Sequence, residues 1–217
     1  MKREFGYTQA SLMGILACVC LLLVPGVEFL LGHFVFGTGA ADWTNGQSVI
    51  FFCISALLCG LSALGISRLA EKRWDFRMWE TGRKTEPWRW AVLAGAVAVS
   101  MLAGYIGWGG CKLMQDYEKL GLLCTGIKYI YYGFEMLLIA EIIVFVQILG
   151  ENLLPAKNIP FAGLVLGLGW CLAFGREKGL LTGILCLLTG LAFGGAYLLM
   201  GRDLKKTWLA LLLLFAL

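Results

Sequence analysis

Among 217 residues, 59% are hydrophobic, so the polar side chains placed inside apolar runs are the first candidates for chemistry. The stretch YYGFEMLLIAEIIVFVQILGE, residues 131–151, carries Glu135 and Glu141, with Gln147 further along. A second apolar run, after Pro25-Gly26, carries Glu28 and the chain's one histidine, His33. A carboxyl or imidazole at membrane depth must face a bundle interior or a watery cavity, where it can bind a ligand, relay a proton or bond another helix. Glu141 is nearest the middle of its run. Glu135 and Gln147 each lie six residues from it, about 240° round a helix in opposite senses, so the three do not share one face. Glu135 is near the outer end, where it can reach water, and Gln147 is placed to bond across to a neighbouring helix. Tyr197, Glu151 and Asn152 complete the intramembrane and loop-edge polar set. Glu28 and His33 are five residues apart, fitting a proton relay, a ligand site or a hydrated interfacial histidine. No nucleophile is paired with His33 at a recognisable spacing.

The elements that must hold these groups are helices. Mean hydropathy is +0.80 and only 15% of residues are charged, well away from soluble composition. Apolar blocks at 11–36, 48–67, 88–108, 129–150, 159–175 and 179–200 are each long enough to cross about 30 Å of hydrocarbon as helices. They run without strict alternation, which excludes a barrel. A seventh block, TWLALLLLFAL (207–217), is too short to span alone, so the chain ends within the bilayer or continues in a further segment. The first block is too long for a signal peptide's apolar region and contains Pro25, Glu28 and His33, so it reads as a transmembrane helix. The expected fold is an all-α polytopic transmembrane bundle, six full spans plus a partial seventh, in one domain over 1–217.

Charge orients it. The formal net charge is +4. With the N-terminus inside, Lys2, Arg3, Lys157, Arg202, Lys205, Lys206 and the seven basic residues between Arg68 and Arg89 are cytoplasmic. Lys112, Lys119, Lys128, Arg176 and Lys178 lie outside. The positive-inside rule thus sets a cytoplasmic N-terminus, with the plasma (inner) membrane as the expected location. The inner loop over 68–89 interleaves Trp74, Phe76, Trp79 and Trp88 with basic residues, which suits anionic lipid headgroups. Nothing in it favours nucleic acid. KLMQDYEKLG (112–121) reads as a short amphipathic piece on the outer surface. The eight cysteines lie in or beside apolar runs with no CxxC pair, as packing residues rather than a zinc or disulfide framework. Gly163 and Gly167, Gly179 and Gly183, and Gly190 and Gly194 are small-xxx-small pairs, read as packing within one bundle ahead of a dimer face.

From residue 128 onward the pattern resembles the core of the CAAX-protease and bacteriocin-processing family of intramembrane proteases. AEIIVFVQIL (140–149) is similar to its Glu-Glu…Arg helix. AGLVLGLGWCLAFG (162–175) is similar to its helix ending in FxxxH, and LLTGLAFGGAYLLMGRDLKKTWLALLLLFAL (187–217) to the glycine-rich helix, turn and last helix. In that family the carboxylates and histidines are held to activate water for peptide hydrolysis, with zinc as the implied metal. Here Glu141 is the retained catalytic candidate. Ala140 replaces the first Glu, Phe145 the Arg, Phe174 the FxxxH histidine, and Leu211 to Phe215 contain no final His. The resemblance therefore implies a non-catalytic homologue with no cofactor, zinc returning only if proteolysis survives. Its partner would be a peptide or protein in the bilayer. Glu141 is then either a catalytic remnant or a structural group bonded to another helix. Two alternatives stand beside this: an active endopeptidase, or a transport component binding a small solute at mid-membrane through Glu141, Gln147 and Tyr197.

Overall fold

The computed structural model describes residues 6–80, 82, 84–108, 111–154 and 156–216. Lys2, Arg3, Arg83 and Leu217, used above for orientation and length, lie outside the described residues, as does the side chain of Lys178. The described residues form seven α-helices and no strand: α1 (Tyr7–Leu30), α2 (Asn45–Trp74), α3 (Pro87–Trp108), α4 (Lys112–Leu153), α5 (Phe161–Lys178), α6 (Leu180–Leu199) and α7 (Leu204–Ala216). Four segments are long and apolar enough to cross a membrane: Tyr7–Phe36, Asn45–Trp74, Lys112–Leu153 and Leu180–Leu199. The apolar parts of α3 and α5 are shorter.

α4 is the axis. Residues 136–145 are buried without interruption, because α4 packs against α1, α2, α5 and α7. A helix apolar on every side belongs at a bundle's centre, which is why 131–151 shows no polar face. α4 is not one rod. At Gly121 the backbone turns to φ 75°, ψ 171°, so the amphipathic piece expected at 112–121 is set off from the central helix by a break that only glycine makes cheaply.

α2 starts on a capping box. Thr44 Oγ1 accepts from the Gln47 N–H at 3.4 Å, and Gln47 Oε1 accepts from the Thr44 N–H at 2.8 Å. The helix runs past the expected membrane edge to Trp74, so the first basic residues of the 68–89 loop are helical. It stops where Asp75 takes a left-handed φ of 55°. The chain then folds back. Met78 is buried, and Phe76 and Trp79 pack against the core. Trp88 is exposed, as are Arg68, Lys72, Arg73, Arg77 and Lys84. Trp74 packs against the core as well, so the loop's aromatics are divided, three turned inward and one outward, rather than laid together along a headgroup layer.

α5 and α6 form a hairpin held by glycines. A Cβ on Gly163 would lie 2.7 Å from the Gly190 carbonyl oxygen, and one on Gly167 2.7 Å from that of Leu187. These small residues are spent inside the hairpin, bringing two backbones into contact. Gly201 and Arg202, both left-handed at φ 70° and 64°, turn the chain into α7. Trp208 then ties α7 to α4, its indole N–H donating to the Gly133 carbonyl at 2.8 Å.

Candidate functional site

The polar groups fall into three separate places. The first surrounds Glu141, which is fully buried on α4. Ser67 on α2 donates to Glu141 Oε1 at 2.5 Å, and the Trp79 indole N–H donates to Ser67 Oγ at 3.1 Å. The sequence of donors is complete: indole to hydroxyl, hydroxyl to carboxyl. Glu141 Oε2 has no hydrogen-bond partner among the described residues, which leaves one acceptor in an apolar surround. Phe76, ring centroid 6.4 Å from that of Phe145, helps close the space on the loop side. Glu141 is thus roofed by the folded-back loop.

The second place is centred on Gln147. Its Nε2 donates to Glu151 Oε1 and to the Ile159 carbonyl, both at 2.8 Å, while its Oε1 accepts from the Ala162 N–H at 3.3 Å. Gln147 does reach out of its helix: beside Glu151 on α4 itself, its partners lie in the α4–α5 connection and the first turn of α5. Glu151 also takes a bidentate pair from Arg202, Nη1 to Oε2 at 2.8 Å and Nη2 to Oε1 at 2.6 Å. Arg202 Nη2 donates further to the Lys157 carbonyl at 2.9 Å. Such a fork fixes geometry as well as charge. Tyr197 is a neighbour here, since its carbonyl accepts from the Arg202 N–H at 3.0 Å. Asn152 is exposed.

The third place holds Glu28 and His33 together. The helix of α1 continues as one wider π-helical turn, Leu31–Phe36, that ends at left-handed Gly37. π-turns recur at functional sites because they displace side chains from the helical register. Glu28 and His33 both line an open cleft of about 930 Å³, which Phe174 of α5 lines too. The His33 ring stacks on Phe29 at 5.6 Å and 7°. Glu135 belongs to none of these. It is half-buried on α4 and takes a hydrogen bond from the Tyr131 side chain, a tighter setting than free access to water.

The three residues of the mid-membrane solute reading are thus not brought together: Glu141 stands apart from Gln147 and Tyr197. Two partners escaped sequence reading. Ser67 belongs to a face of small buried residues on α2 that includes Ser55, Cys59, Ala63 and Ala70, a spacing legible in the sequence. Trp79 carried no such signal, because only the fold-back of the loop delivers it.

Zinc does not fit around Glu141. Its hydrogen-bond neighbours are a serine hydroxyl and, behind that, an indole, and zinc sites need several Cys, His or carboxylate ligands. Among the described residues no group of three or more such side chains is placed to hold a metal. Of the positions where the resemblance would call for histidines, Phe174 lines the cleft at the end of α1, and Leu211, first of the stretch to Phe215, is buried in the core. Lone Glu141 supplies one carboxyl and neither a second acid–base group nor an electrophile. No family model matches the chain, and neither a curated protein nor a solved structure matches it.

Proposed function

We propose that this chain is a multi-pass protein of the bacterial inner membrane with a cytoplasmic N-terminus, six spans and a shorter seventh. In it, a helix arrangement resembling that of the CAAX-protease family serves binding, not catalysis. Its partner is a peptide or protein segment within the bilayer, and the basic residues of 68–89 meet anionic headgroups. The observation that carries this is the closure of Glu141. Its one hydrogen bond goes to Ser67, the loop covers it, and a hydrolytic site needs instead a carboxyl open to water beside a second acid–base group. The solute-carrier reading draws no support from Gln147, whose side-chain amide is committed to Glu151, Ile159 and Ala162.

The test is metal content and peptide turnover of the detergent-purified protein, wild type beside Glu141→Gln. The expected result is sub-stoichiometric zinc and no turnover in either. Stoichiometric zinc or peptide cleavage that disappears in Glu141→Gln would overturn the proposal in favour of an active endopeptidase. Orientation is tested separately by an impermeant thiol reagent on a variant keeping only Cys111, which is exposed at the start of α4. Labelling from outside is expected, and labelling only in inverted vesicles would reverse the topology.

A further inference from the structure

The cleft at the end of α1 has the chemistry of a cation receptor. Phe29 and His33, one helical turn apart, stack within 7° of parallel, and both line the cleft. Phe34 meets the His33 ring edge-on at 4.8 Å and 89°. Phe174 of α5 adds a third aromatic ring to the lining. Glu28, also lining the cleft, is its one carboxylate, and neither lysine nor arginine is among the described lining residues. The floor is kept low by Gly32, where a Cβ would come within 3.1 Å of the Thr38 carbonyl oxygen and 3.5 Å of Trp43. Aromatic faces attract cations through their quadrupoles, and a carboxylate beside them adds charge without demanding a directed hydrogen bond. An anion would meet Glu28 and ring faces of the wrong sign.

We infer that this cleft binds an alkylammonium group, held against the aromatic rings that line it, Phe29, His33 and Phe174, with Glu28 as counter-charge. Two sources carry that chemistry: a free organic cation, and the headgroup of a zwitterionic phospholipid. The inference does not rest on the proposed non-catalytic role, since the cleft shares no residue with the Glu141 chamber.

Two arms test it on the full chain. In maltoside detergent, tetramethylammonium is titrated calorimetrically against wild type, Glu28→Gln and Phe174→Leu. In nanodiscs, retention of phosphatidylethanolamine over phosphatidylglycerol is measured by mass spectrometry after detergent extraction. Glu28→Gln is expected to weaken the response about tenfold and Phe174→Leu about threefold, with thermal midpoints unchanged. Tetramethylammonium binding that follows this order supports the site with free cations as ligands. Selective phosphatidylethanolamine retention, lost in Glu28→Gln, supports it with lipid as the source. Absence of both responses in wild type, or responses equal in wild type and Glu28→Gln, would overturn it.

Discussion

Glu141 and Glu28 are both carboxyls in apolar helices, yet their surroundings are opposites. Glu141 lies on the central helix, fully enclosed, with a hydroxyl from α2 and an indole from the loop arranged in series behind it. Glu28 lies on a peripheral helix, half-exposed, beside a π-turn and on a cleft that Gly32, Gly37 and Gly39 also line. The first environment is closed by the protein itself, with Glu141 Oε2 left without a hydrogen bond among the described residues. The second is left open. A charged residue in a membrane sequence therefore has no single meaning, and what decides is whether neighbouring elements supply its partners.

That contrast is broken most severely by reversing charge. Glu141→Lys would place an ammonium where only Ser67 stands within hydrogen-bond reach, a cost of several kcal/mol, so loss of the monodisperse folded peak on size exclusion is expected. Glu28→Lys should leave that peak intact. If both variants behave alike, the chamber is not closed.

Arg202→Ala comes next, with an expected loss of about 2 kcal/mol seen as a lower thermal midpoint, since Glu151 and Gln147 lose their shared anchor. Arg202→Gly should lose less. It gives up the same fork but relieves a left-handed backbone that costs a side-chain-bearing residue roughly 1 kcal/mol.

Trp79→Phe keeps an aromatic ring and deletes the indole N–H. A loss of about 1 kcal/mol is expected, together with faster proteolysis within 75–86 as the loop loosens. Smallest are Glu28→Gln and His33→Ala, each within about 0.5 kcal/mol in stability, because both line an open cleft and His33 is held there by ring contacts that need no charge. A large thermal shift in Glu28→Gln would show that its environment is completed internally after all.

Helices were legible because apolar length is a direct reading of the bilayer, and six blocks have counterparts in α1 to α6, with the short seventh in α7. Their use was less legible. Gly163, Gly167 and Gly190 announce a close approach in sequence, but only coordinates show that they approach each other. Gln147 was placed correctly as a bond out of its helix. Its partners outside the helix, one carbonyl of the α4–α5 connection and one N–H of the first turn of α5, are backbone groups, which residue identity does not mark. Glu28 and His33, five apart, are brought to one cleft by a π-turn that alters the helical register. Trp79 looked interfacial by composition. The left-handed cap at Asp75 sends it the other way.

The turn of Gly201 and Arg202 bears on how the protein is assembled as it is made. Arg202 lies 51 residues beyond the Glu151 it grips, and it also takes the Lys157 carbonyl in between. During synthesis α4, the connection and the whole α5–α6 hairpin must emerge before the guanidinium exists to close the circuit. The hairpin, whose tight contacts are internal, can form first. The direction of α7 is then set by a clasp whose receiving half was laid down a hairpin earlier, and Leu204, Ala210 and Leu211 of α7 are the last residues to join the core.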